Sequence, residues 1–99
     1  MTNKYPENYD KLEYWCKKHY DWVFGQYVGK NKEREECFIV EGDSDEDNFY
    51  WHLVAVLPEG SVYVYRTKIV PMETYTTEKA IEAMNQLEVD FLDFYAWEV

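Results

Sequence analysis

Cations are what this chain lacks over most of its length. Ten Lys and Arg stand against twenty Asp and Glu, a formal charge of −10. No Lys or Arg occurs between Glu35 and Glu59, and one (Lys79) after Ile69. A surface this short of positive charge disfavours direct binding to nucleic acid or to anionic lipid, both of which repel it. Four glycines leave little of the backbone freedom that phosphate cradles use, and no Gly-rich phosphate loop, G-x-S-x-G or H-E-x-x-H pattern occurs. No stretch approaches the roughly 20 apolar residues of a membrane span, and the first residues carry no apolar secretory core. A soluble, cytoplasmic protein is expected. Two distant cysteines, Cys16 and Cys37, are expected as reduced, buried thiols.

What is abundant is acid and aromatic surface. Eight acids fall between Glu35 and Glu59, and seven more come after Ile69. The chain has ten Tyr, five Phe and four Trp in 99 residues, enough apolar mass for one modest domain and too much for a disordered chain.

Periodicity predicts an α+β chain: an N-terminal helix, a three- to four-stranded antiparallel meander, and a C-terminal helix. The first helix is expected from about Pro6 to Val23, with Leu12, Trp15, Cys16 and His19 on its apolar arc and Gly25 as its stop. Tyr14 falls on its polar arc. Phe24–Val28 reads as a short strand or as the exit from the helix, and strand-like runs follow at Glu36–Glu41, Phe49–Leu57 and Ser61–Val70, with short connections that favour antiparallel neighbours. Thr76 or Thr77 can cap the last helix. Its expected apolar face is Ile81, Met84, Leu87, Phe91, Leu92 and Tyr95, and its polar face is Glu78, Glu82, Asp90 and Asp93. A short strand is an alternative for Phe91–Val99. Trp15, Trp22, Phe38, Trp51, Phe91 and Phe94 are the main aromatic core candidates.

No metal or cofactor is expected. Asp43, Asp45 and Asp47 match positions 1, 3 and 5 of an EF-hand loop, but position 6 holds Asn48 in place of Gly, and position 12 holds Val54 in place of Glu. Cys16, His19, Cys37 and His52 are zinc-ligand types without the paired spacing of a zinc motif. Cys16 on an apolar helix arc also makes a poor nucleophile, because burial raises a thiol pKa.

These patterns lead to a non-enzymatic binding protein whose carboxylates dock on the basic groove of a nucleic-acid-binding protein, in place of phosphates. One expected patch is Glu41, Asp43, Asp45, Glu46 and Asp47, and a second is Glu78, Glu82, Asp90 and Asp93. Tyr14 and Tyr50 are candidate aromatic anchors. In size, charge and aromatic content the chain resembles the small acidic inhibitors of phages and mobile elements, such as uracil-DNA glycosylase inhibitors, anti-restriction proteins and anti-CRISPRs. That compositional resemblance implies the same kind of inhibition. The alternative is a small adaptor, possible as a homodimer, whose acidity is incidental.

Overall fold

A computed structural model describes residues 6–42 and 44–97. Helix α1 (Tyr9–Tyr20) leads into strands β1 (Val23–Lys30), β2 (Glu36–Gly42), β3 (Asn48–Val56) and β4 (Val62–Pro71), a 3₁₀ turn (Met72–Thr74), and helix α2 (Thr77–Phe94). The strands form one antiparallel sheet in the order β1-β2-β3-β4, so the expected α+β meander is the fold.

Alternation along β2 and β3 explains the layering. Phe38, Val40, Val54 and Val56 point to one face and pack with Leu12 and Cys16 of α1. Cys37, Ile39, Leu53 and Ala55 point to the other and pack with Ala80, Ala83, Leu87 and Phe91 of α2. The sheet is therefore sandwiched between two helices, and the two middle strands are apolar on both sides. Cys16 and Cys37 lie in these separate cores as free thiols, pushed by burial up to about 11 and about 12 respectively. The four zinc-ligand types are thus not gathered: Cys37 lies across the sheet from Cys16, and His19 is exposed.

Helix α1 is shorter than expected at both ends. It stops at Asp21, whose φ of 58° turns the backbone left-handed, a conformation a short polar side chain tolerates. Gly25 therefore lies inside β1. Thr76 caps α2, its hydroxyl accepting from the Lys79 N–H at 3.1 Å. Among the described residues of the final stretch, the short-strand alternative does not form. The helix runs to Phe94, and Ala96 then forms a single β-bridge with Asn31.

Helix α2 is rotated from the face read in the sequence. Ala80, Ala83, Leu87, Asp90 and Phe91 face the sheet, while Ile81 and Leu92 point outward, 45% and 58% exposed. The two alanines present almost no side chain and let the helix lie close against the strands. A hydrophobicity count favours Ile and Leu over them and so misplaces the edge of the face, while the expected Leu87 and Phe91 are buried and Met84 and Tyr95 pack against the core. Phe94 is also surface, half-exposed, with the Arg66 guanidinium 5.0 Å over its ring.

The end of the sheet formed by Lys30, Glu36 and Val56 is closed by polar bonds. Asn31, 1% exposed, donates to Glu35 Oε1 (2.8 Å) and to the Tyr65 hydroxyl (2.7 Å), and its Oδ1 accepts the N–H of Glu33 and Glu35. Trp97 N–H donates to the Lys30 carbonyl and Lys32 N–H to the Tyr95 carbonyl, fastening the chain after α2 to this end.

Candidate docking surface

Antiparallel register decides which acids meet. Val23 pairs with Glu41, Gly42 with Tyr50 and Asn48 with Pro71, so the ends of β2 and β4 and the starts of β1 and β3 share one edge. The β2–β3 loop and the 3₁₀ turn after β4 are consequently neighbours. The Met72 N–H donates to the Asp47 carbonyl at 2.8 Å and ties them together. Glu46, Asp47 and Glu73 line an open cleft of about 620 Å³ between loop and turn. Around the corner, Asp21 and Glu41 line a second cleft of about 300 Å³ with Tyr20, Ser44 and Phe49. Glu78 stands exposed in the first turn of α2, which leaves this same end. A negative charge there is favoured by the unpaired N–H groups of the helix start.

Inside the loop the acids divide by role. Asp45 holds the loop together: its Oδ1 accepts from the N–H of Asp47 (2.8 Å) and Asn48 (2.7 Å), and its Oδ2 accepts from the Tyr50 hydroxyl. The Tyr50 bond, then the two backbone bonds, hold the Asp45 carboxyl below the usual carboxylate range, and donating to Asp45 pushes the Tyr50 hydroxyl up. Asp45 and Tyr50 are therefore committed to each other. Glu41, Glu46 and Asp47 carry the loop's outward charge; Asp43 lies outside the described residues.

The second expected patch does not stay together. Asp90 is 6% exposed and is not a surface acid, which corrects its assignment to the polar face. It faces the sheet, where Arg66 Nη1 of β4 approaches to 3.7 Å, and Gln86 Nε2 one turn earlier on α2 donates to it at 3.0 Å. A buried carboxylate persists where such partners replace water. Asp93 is exposed but lies about 22 Å along the helix from Glu78, at 1.5 Å per residue. Glu82 lines a groove with Lys68 and Lys79, so cations stand near it. Tyr14, 68% exposed, lies on α1 across the sheet from α2 and beside Lys18.

The acidic end of the sheet thus consists of Glu41, Glu46, Asp47, Glu73 and Glu78, joined by Asp21. Among the described residues none of these has a close cationic partner; the ion pair found there, Arg66–Asp90, is elsewhere. Asp21 and Glu73 were not singled out in the sequence. Pairing the Phe49–Leu57 run with the Ser61–Val70 run would have found Glu73, because an antiparallel hairpin sets the entry to its first strand beside the exit from its second.

No family model matches the chain, and no curated protein or solved structure is similar enough to count as a match.

Proposed function

We propose that this protein is a non-enzymatic binding protein that docks the acidic end of its sheet on a basic protein surface, in its sharpest form the groove of a nucleic-acid-binding protein. The observation that carries this reading is the convergence of Glu41, Glu46, Asp47, Glu73 and Glu78 at one end without close cations among the described residues. Unpaired carboxylates at fixed positions generate a local field that steers a positive surface toward them. A groove built for phosphates gains much of its affinity from such charge. The Asp45–Asn48 turn that holds Glu46 and Asp47 is fixed by Asp45 and by the Met72 N–H, so little ordering of these two acids is left for the moment of binding. Buried, protonated thiols fit a reducing cytoplasm and give no nucleophile.

The test is capture from a lysate at low and high ionic strength, then competition with duplex DNA or RNA. The expected result is a nucleic-acid-binding protein retained at low salt, released at high salt and displaced by the nucleic acid. Retention that ignores salt and nucleic acid contradicts the reading.

One observation favours the adaptor or homodimer reading. β4 is an edge strand with Tyr63, Val64 and Ile69 about half exposed, so its outer side is open to a further strand. A dimer formed there is expected to be insensitive to salt, which separates the two readings by sedimentation at two ionic strengths.

A further inference from the structure

The outward face of α2 is unlike that of α1. The outward side of α1 mixes charges of both signs, Asp10 with Lys11, Lys17 and Lys18, and its large exposed apolar residue there is Tyr14. Helix α2 instead exposes Ile81 (45%), Val89 (48%) and Leu92 (58%). At 100° per residue these three lie within about 80° of arc and span about 16 Å of axis, three turns of one stripe that also holds Asn85. Their neighbours outside the core are acidic: Glu78 heads the stripe, Glu82 and Asp93 border one side, and Glu88 borders the other. Single exposed apolar residues are ordinary on a protein surface, but an aligned stripe on a helix already buried on its other side is not explained by the fold.

We infer that this stripe is the apolar anchor of the docking surface, and that its occupant is a basic amphipathic helix of the partner protein. The assignment rests on the acidic-docking reading above and adds the shape of what is bound. Charge complementarity selects the occupant. Apolar positions at helical spacing fit a second helix laid along α2, and Glu78, Glu82 and Asp93 beside them fit Lys or Arg flanking that helix's apolar side. A second copy of this chain fits poorly, because pairing α2 with itself sets Glu78, Glu82, Glu88 and Asp93 of each copy against those of the other, with Lys79 and Lys68 to one side as the nearby cations. The stripe also continues from the acidic end through Glu78, so one partner surface reaches both.

The probe is a synthetic helical peptide of Leu and Lys at amphipathic spacing, compared with a permuted peptide of the same composition. Binding is measured by calorimetry on the whole chain, with circular dichroism confirming the fold of each variant. The wild type is expected to prefer the amphipathic peptide at least about tenfold, since desolvated anchors carry most of the energy of such contacts. The variant Ile81→Gln, Val89→Gln, Leu92→Gln, which keeps good helix formers on the surface, is expected to lose that preference. Equal preference in this variant and the wild type overturns the assignment. A wild-type dimer that this variant dissolves also overturns it, by naming a second copy as the occupant. The docking reading fails separately: Asp47→Lys with Glu73→Lys then leaves binding and its salt dependence unchanged, whatever the stripe variant does.

Discussion

The two ends of the sheet use their polar groups in opposite ways. At the Asn31 end, amide, carboxylate and hydroxyl are spent on one another: Asn31 with Glu35 and Tyr65, and Glu36 with the Tyr27 hydroxyl at 2.8 Å. At the other end Asp45 is spent internally, to hold the loop, and the acids around it face water. A formal charge of −10 does not distinguish these ends. The difference lies in which carboxylates have partners, and it separates acids that build the fold from acids free to meet another molecule.

The largest expected effect breaks the closed end. Asn31→Ala removes the acceptor of the Glu33 and Glu35 N–H groups and leaves Tyr65 without its amide partner, and each group left unsatisfied in this part-buried site costs about 1 kcal/mol or more. A loss of about 3 kcal/mol or more is expected in chemical denaturation; a loss below about 1 kcal/mol contradicts this picture of the end. Gly42→Ala tests how the acidic end is held. A Cβ built there lies 2.1 Å from Trp22 Cδ1, so the indole must move, at about 1–3 kcal/mol. At that end the Gly42–Trp22 packing adds to the hydrogen bonds of Asp45 and Met72, and a neutral Gly42→Ala contradicts this.

Reversing Glu46, Asp47 and Glu73 to Lys is expected to leave stability within about 0.5 kcal/mol, because these side chains are exposed and form no ion pair among the described residues. A larger loss means the acidic end serves the fold. The smallest effect is the pH response of the loop. The folded Asp45 carboxyl titrates below its unfolded value, so its stabilisation is fully present above about pH 3.9 and is lost as pH falls through the lower folded value. Between neutral and acid pH, Tyr50 resonances tracked by NMR are expected to shift only in that acid window. A change on this acid side centred above about pH 3.9 contradicts the bond.

Much of the architecture was legible because local signals agreed. The β-branched and aromatic runs of β2 and β3 have no competing reading, and the Thr76 cap marks the start of α2. Gly25 misled the end of α1 because Asp21 made the left-handed stop. Asp90 misled the face of α2 because its partner Arg66 on β4 is visible only once the helix lies on the sheet. The candidate site was legible in part. Loop acids are adjacent in sequence, but Glu73 and Glu78 join them through the register of β3 against β4, and Asp93 leaves them through helix length.

The central claim is that the unpaired carboxylates of one end, and not acidity as such, drive docking. Its most direct test is the association rate with the partner retained at low salt, measured against ionic strength for three proteins: the wild type, the Glu46→Lys, Asp47→Lys, Glu73→Lys variant, and Asp90→Asn. The account predicts a steep fall with salt for the wild type and for Asp90→Asn, and a slow, nearly flat rate for the triple variant. Equal slopes for the wild type and the triple variant contradict it.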